Sequence, residues 1–322
     1  MKYVFGPVPS RRLGRSLGVD PVPMKTCNWN CIYCQLGRST PLVNERKDYF
    51  PPDEIIAEAK EALGRFGIGD IDWVTIVGSG EPLLHKSIGW ILREIKANTE
   101  VPVALLTNGT FLHLAELRHD VCVVDAVMPT IDAGSAAMFK RMNRPHPGIP
   151  YDTYIDGLVS FAREYRGRLW PEVMLVKGVN DTESALQDIA AVMRLIEPDE
   201  IHISLPTRPP AERTVEPTDE EGIDRALAIL GETAHVVHPA TADVDLSGVD
   251  TAVDAVVAIG SRHPMRVDEI EATLARWAPD DVQSALAELE SSGRVRIVER
   301  YGVRFWTSPS SFYSEDKKGR PK

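Results

Sequence analysis

The chain has 322 residues, 43% hydrophobic and 26% charged, with a formal net charge of −11. That length buries a core without covalent staples, and those proportions exclude wholesale disorder and a membrane-embedded body. The acidic balance excludes a dominant nonspecific grip on nucleic acid and leaves room only for a local basic patch.

Residues 1–7 lack the apolar core of a signal peptide, and no later run is apolar for long enough to span a bilayer, so a cytoplasmic protein without membrane contact is expected. After a loop-like opening, short apolar runs alternate with amphipathic stretches from about residue 17 to residue 238. The pattern predicts strands over 17–20, 73–77, 103–107, 123–128, 172–176 and 201–205. Between and after them it predicts helices over 53–65, 88–96, 111–117, 135–141, 151–165, 182–196 and 219–231. This is an α/β chain with a parallel sheet, and periodicity alone leaves a doubly wound sheet and a barrel both open. In either, chemistry belongs to the loops that follow the carboxyl ends of the strands.

The character changes after His238, and a boundary is placed near residue 245. Beyond it come helices over 253–259, 267–277 and 282–291, then strands over 295–299 and 303–307. That order resembles a winged helix-turn-helix domain. The expected units are 1–244 (catalytic), 245–310 (winged-helix-like) and a flexible, solvated tail over 311–322.

Three of the four cysteines, Cys27, Cys31 and Cys34, fall in one loop after the first predicted strand; the fourth, Cys122, sits in an apolar run. This is metal-site usage, not a disulfide framework. Thiolates so spaced can wrap one inorganic centre, and three of them on a [4Fe–4S] cube leave one iron open to an external ligand. Structural zinc wants four closed ligands, and no second cysteine pair exists to complete them. Zinc and inert buried thiols stand as the alternatives at this point.

Cys-x3-Cys-x2-Cys after the first strand of a βα series is similar to the signature of the radical S-adenosylmethionine (SAM) superfamily. The resemblance implies a [4Fe–4S] cluster and SAM as cofactors, and a partial (β/α)6 barrel over roughly residues 15–240. It implies reductive cleavage of SAM to a 5′-deoxyadenosyl radical, with a flavodoxin- or ferredoxin-type protein as external one-electron reductant. Gly78-Ser79-Gly80-Glu81-Pro82, a glycine-rich turn after the second strand, resembles the superfamily turn that receives the amino group of SAM, with Ser79 in place of the usual glycine. By the same resemblance Tyr33 packs near the adenine and Asn108 lies in a turn beside the cofactor. Thr130 and Asp132 face the ribose, Lys177 and Asn180 hold the methionyl carboxylate, and Leu205 lies by the adenine.

Basic loops suggest a cationic rim for phosphate or carboxylate: Arg11, Arg12 and Arg15 before the first strand, Arg141 and Arg144 after the fourth, Arg208 and Arg213 after the sixth. The local sequence around the cysteines, with the preceding Gly-Pro-Val-Pro-Ser-Arg-Arg, looks broadly related to the wyosine-synthesising tRNA enzymes, which implies RNA modification. A peptide or an anionic small molecule is the alternative substrate, and an iron–sulfur transcriptional regulator is a third reading. The predicted recognition helix has no Lys or Arg over 282–291 and follows Asp280 and Asp281, a combination that repels phosphate. Any contact of this domain with RNA or peptide is expected instead from Arg294, Arg296, Arg300, Tyr301 and Arg304.

Overall fold

A computed structural model describes residues 2–10, 12–67, 69–237, 252–277, 282–311 and 313. The predicted boundary near residue 245, Arg11, Asp280, Asp281 and all of the tail except Ser311 and Tyr313 lie outside these residues.

The opening is a strand rather than a loop. β1 (Val4–Ser10) pairs antiparallel with β2 (Gly14–Val19) through an irregularity between Phe5 and Val8. From β2 the sheet runs parallel through β3 (Trp73–Ile76), β4 (Val103–Thr107), β5 (Ala126–Pro129) and β6 (Arg168–Leu169). A second parallel set continues with β7 (Glu172–Met174), β8 (Ile201–Ser204) and β9 (Ala234–Val236). Pro171 separates β6 from β7, because it has no N–H to give the ladder. The two sets remain joined, with Ile131 N donating to Glu172 O at 2.8 Å beside a Thr130–Glu172 bridge. This is an α/β fold whose parallel sheet is consistent with a partial barrel.

The crossovers are α1 (Pro52–Leu63), α2 (Ile88–Ala97), α3 (Ala115–Val121), α4 (Ala136–Met142), α5 (Tyr151–Glu164), α6 (Glu183–Ile196) and α7 (Glu220–Leu230). Local chemistry sets their starts: prolines lead α1 with Asp53 and Glu54 in its first turn, and Asp219 caps α7 by accepting from Gly222 N at 3.1 Å. Two elements depart most from expectation. The helix expected over 111–117 is a 3-10 turn (Thr110–His113) followed by α3, and the strand expected from 123 begins at Ala126, since Cys122 closes α3. β9 joins the six expected strands as a short edge.

The main core lies between sheet and helices and includes Leu17, Val74, Ile76, Leu105, Val127 and Ile203, all fully buried. Beyond residue 251 come α8 (Ala252–Arg262), β10 (Met265–Arg266), α9 (Val267–Trp277), α10 (Val282–Ser291), β11 (Arg296–Arg300) and β12 (Val303–Thr307). Their strands form a separate antiparallel sheet in the order β10-β12-β11, and Val256, Ile270, Leu274, Leu289 and Trp306 make a second core. Val8 of β1 packs against it. Tyr313, which the sequence puts in the tail, is 2% exposed and donates to Gln35 O at 2.8 Å.

Candidate functional site

The loop holding Cys27, Cys31 and Cys34 leaves the carboxyl end of β2. Its neighbours clamp it: Ile32 N donates to Met142 O at 2.9 Å, Asn30 N to Asn143 O at 3.0 Å, and Glu212 N to Ile32 O at 2.9 Å. Beneath it Trp29, 2% exposed, meets Phe139 edge-on at 5.0 Å and Tyr154 at 5.5 Å, so aromatic packing fixes the loop on α4 and α5.

A donor faces each of the three sulfurs. Trp29 N lies 3.4 Å from Cys27 Sγ, Asn143 Nδ2 3.6 Å from Cys31 Sγ, and Lys25 Nζ 3.4 Å from Cys34 Sγ. Burial pushes the Cys27 thiol up to about 12 and Cys31 well above its ordinary value, with Glu81 and Asp132 adding to the respective shifts. Left to themselves these thiols keep their protons, and metal binding must displace them. Three donors aimed at three sulfurs suit thiolates, which accept such bonds strongly, and so the residues present fit a three-thiolate iron–sulfur centre. Cys122 stands apart, near Glu164 and Arg118.

Gly78-Ser79-Gly80-Glu81-Pro82 follows β3 and abuts this loop. A Cβ on Gly80 would sit 1.8 Å from Thr26 O, so glycine is the only residue that fits there. Ser79 O accepts from Lys25 N at 2.6 Å, and Asp20 takes both Ser79 N (3.0 Å) and Ser79 Oγ (2.5 Å). Glu81, 2% exposed, accepts from Thr107 Oγ1 (2.6 Å), Asn108 N (2.7 Å) and Leu83 N (2.9 Å). Burial raises its carboxyl to about 7, with those three donors opposing the shift. Asn108 Nδ2 donates to Asn28 Oδ1 at 2.6 Å, tying the turn after β4 to the cysteine loop.

Asp132, 1% exposed, accepts from Tyr33 OH (2.5 Å), Asn143 Nδ2 (2.7 Å) and Met174 N (2.8 Å), and burial raises it to about 6. Tyr33 is thereby oriented from across the barrel. Thr130, on the same loop, accepts at its carbonyl from Tyr154 OH. Asn180 spends its amide on Asp132 O (3.0 Å) and Met174 O (2.9 Å) and its oxygen on Val176 N (2.8 Å), so it pins a loop and has no capacity left for a carboxylate. Lys177 is exposed and pairs with Asp219 at 2.9 Å. Leu205 packs at the edge of the main core.

The expected rim of arginines is largely not a rim. Arg12 precedes β2 and Arg15 is its second residue, so both sit at the amino ends of the strands, opposite the cysteine loop. Arg15 pairs with Asp72 at 3.0 Å, and Arg12 ion-pairs with Glu172 with both side chains under 20% exposed. Arg208 donates to Pro264 O of the C-terminal unit. At the mouth, Arg144 and Arg38 share Glu212 at 2.5 and 2.7 Å, Arg141 is exposed with Nη2 3.4 Å from Gly178 O, and Arg213 is exposed. Three of the C-terminal residues expected to touch RNA or peptide have partners within the chain: Arg294 with Asp254 (2.6 Å), Arg296 with Ser311 O (2.9 Å), and Tyr301 OH with Val215 O (3.0 Å).

At the amino ends of β8 and β9, Glu200 Oε2 lies 3.1 Å from His202 Nε2 and 3.6 Å from His235 Nε2, a trio whose ligand atoms are close enough to meet on a single ion. Arg12 and Arg168 line the same cavity and oppose a dication, and burial with Arg12 nearby holds His202 below its ordinary value.

Sequence reasoning passed over Asp20, Lys25, Asn143 and Glu212. Only Lys25, two residues before the first cysteine, offered a signal.

The sequence profile of the Radical SAM superfamily matches residues 22–189, just over half of the chain and the segment that carries the cysteine loop, the glycine turn and Asp132. The chain belongs to the radical SAM superfamily. It is 41% identical over 225 residues to a protein of Brachyspira hyodysenteriae named GTPase Obg, covering 70% of this chain and 33% of that one, so it spans about a third of that relative. It is 30% identical over 283 residues to a UPF0026 protein of Methanocaldococcus jannaschii, covering 85% and 86% of the two. A structure of TYW1 with a lysine–pyruvate adduct bound aligns over 91% of this chain and 80% of that one, with a TM-score of 0.45 and 13% identity. This radical SAM protein is an enzyme, and the superfamily's [4Fe–4S] cluster and SAM are its cofactors. No described helix is long and apolar enough to cross a membrane.

Proposed function

We propose that Cys27, Cys31 and Cys34 hold the cluster, that the Gly78–Pro82 turn seats the amino group of SAM, and that the radical acts on a small anionic molecule. The observation that carries the site assignment is the set of N–H donors facing all three sulfurs, beside a turn where only glycine fits against Thr26. When bound, cluster and SAM supply the 5′-deoxyadenosyl radical on receipt of one electron from an external flavodoxin- or ferredoxin-type donor.

The residues of the chain do the rest. Lys25, Trp29 and Asn143 orient the sulfurs and temper their charge. Gly80 brings backbone close to the cofactor, and Glu81 and Asn108 brace that turn from behind. Tyr33, held by Asp132, would pack near the adenine of SAM.

The substrate class rests on where the cations lie. Arg12, Arg15 and Arg208 have partners inside the molecule, as do Arg294 and Arg296 of the wing. The cations at the mouth form a compact group, with Arg141 exposed and Arg144 and Arg38 sharing the single carboxylate of Glu212, enough to orient one or two anionic groups on a molecule that enters the barrel. An RNA needs an extended basic track, and the net charge of −11 opposes one.

The order α8-β10-α9-α10-β11-β12, with its own core, supports reading the C-terminal unit as a winged helix divided from the barrel near residue 245. Its contacts with Gln35, Arg208 and Val215 support docking on the barrel rather than RNA capture.

The test is anaerobic reconstitution followed by mass spectrometry of 5′-deoxyadenosine formed with SAM, a reductant and cell fractions. Product formed with the low-mass anionic fraction, unaffected by ribonuclease, is the expected result. Product that appears only with RNA and vanishes on ribonuclease treatment would replace this substrate class. A preparation that binds zinc alone would remove the site assignment.

A further inference from the structure

The Gly78–Pro82 turn is braced by a residue from the other unit. Asp20, at the carboxyl end of β2, is 2% exposed, and its Oδ2 accepts from Ser79 Oγ at 2.5 Å and from Arg262 Nε at 3.1 Å. Its Oδ1 accepts from Ser79 N at 3.0 Å. Arg262 is the last residue of α8. Its Nη2 donates to Lys2 O at 2.9 Å, its guanidinium lies 5.0 Å over the Phe5 ring, and its side chain is 17% exposed.

A buried carboxylate is costly unless a cation or several donors satisfy it. Here the barrel supplies the Ser79 donors, and the C-terminal unit supplies the cation. The same helix end reaches the cysteine loop: Gln35, next to Cys34, donates to Arg262 O at 3.2 Å and lies 3.3 Å from His263 Nδ1. Ser79 O in turn accepts from Lys25 N, and Lys25 Nζ faces Cys34. One chain of contacts thus runs from α8 through Asp20 and Ser79 to Lys25 and the third cysteine. Ser79 is essential to its side-chain link, because glycine in its place has no hydroxyl to give Asp20.

We propose that Arg262 is a positioning residue for SAM: docking of the C-terminal unit sets the Ser79 turn through Asp20, so that unit and cofactor bind to the barrel cooperatively. This rests on the seating of SAM at the Gly78–Pro82 turn proposed above. The coupling is reciprocal, since whatever the docked unit adds to SAM affinity, SAM adds to docking.

The test uses the full chain, reconstituted anaerobically, as wild type, Arg262→Ala, Arg262→Lys and, as a control within the C-terminal unit, Arg294→Ala. Iron content, SAM affinity by equilibrium dialysis and amide hydrogen exchange are read on each. Arg262→Ala is expected to keep its iron, to bind SAM about tenfold more weakly, equivalent to about 1.4 kcal/mol, and to exchange faster at the amides of Ser79 and Lys25. Arg262→Lys recovers part of the affinity, since its charge still reaches Asp20 but its fork does not. Arg294→Ala matches wild type. In wild type, SAM slows exchange in α8; in Arg262→Ala it does not.

Unchanged SAM affinity in Arg262→Ala, or loss of iron together with SAM binding in both Arg262 variants, overturns the proposal, the second by showing a general structural role. Wild-type protein that holds iron but binds no SAM overturns the functional reading itself, which separates the two failures.

Discussion

The two ends of the barrel both bury polar side chains, and they differ in how those groups are satisfied. At the amino ends of the strands, half-buried Arg12 meets Glu172 and buried His202 meets Glu200, while Arg15 meets Asp72 in the open. At the carboxyl ends, backbone and amide N–H groups and one ammonium converge on sulfurs whose buried thiols have raised pKa values at Cys27 and Cys31. The first set consists of pairs between residues of the chain itself. The second is built for something that the protein chain does not supply. A polar cluster therefore marks a cofactor site when its donors face groups that need an outside partner to become charged, and marks architecture when cations and carboxylates already cancel.

The contrast predicts opposite phenotypes, the largest at the cysteines. Replacing Cys27, Cys31 or Cys34 by alanine should drop iron content and 5′-deoxyadenosine formation to background, while urea unfolding of the iron-free protein shifts by less than about 1.5 kcal/mol for so small a side chain. A single-cysteine variant that retains full iron and turnover would contradict the assignment. Arg12→Ala should do the reverse. It strands Glu172 in a buried setting and costs about 3–5 kcal/mol of stability, with iron content per folded molecule and SAM affinity unchanged. Should Arg12→Ala instead weaken SAM binding selectively, the division between the two ends would be wrong.

How legible this was from the sequence follows the same division. β4, α9, α10 and β12 fall on their predicted bounds, because apolar periodicity and capping are local and the structure obeys them. The cysteine loop and the glycine turn were legible because their chemistry is compressed into a few adjacent residues. β1 was missed because its glycine and prolines mask a strand that survives only as an edge, where proline is tolerated. The arginine rim failed for a topological reason: Arg12 and Arg15 stand just before and at the start of β2, and the start of a parallel strand lies at the far end from the loops after it. Asp20, Asn143 and Glu212 were invisible, since each acquires its role from partners between 59 and 242 residues away, 112 residues away, and 68 to 174 residues away, respectively.

The next effect in size is steric. Gly80→Ala would place a methyl group 1.8 Å from Thr26 O and 2.4 Å from its carbonyl carbon, both backbone atoms that cannot swing aside. Overpacking of this kind costs about 1–3 kcal/mol, and here it displaces the segment that leads into Cys27. SAM affinity and iron content should both fall, whereas Gly178→Ala, at a glycine whose Cβ would meet nothing within 4 Å, carries only its left-handed backbone penalty and should leave both intact. Dialysis of SAM against the two variants measures the difference.

The smallest effect lies at Glu81 and is best seen through pH. Burial raises this carboxyl from 4.5 to about 7, so the folded protein binds a proton that the unfolded chain releases near pH 4.5. The stabilisation from that proton is fully present below about pH 4.5 and is lost as pH rises through about 7. Glu81→Gln removes the titration and with it this component of the slope in urea-derived stability between pH 5 and pH 8. It also turns one acceptor into an NH2 that faces either Asn108 N or the Thr107 and Leu83 donors, a mismatch costing about 1–3 kcal/mol. The variant should thus be less stable than wild type across that range, with the deficit narrowing as pH rises because only wild type loses stabilisation at this position. A deficit that widens with pH would mean that the three donors outweigh burial and keep Glu81 ionised, making the carboxylate itself the brace of the turn.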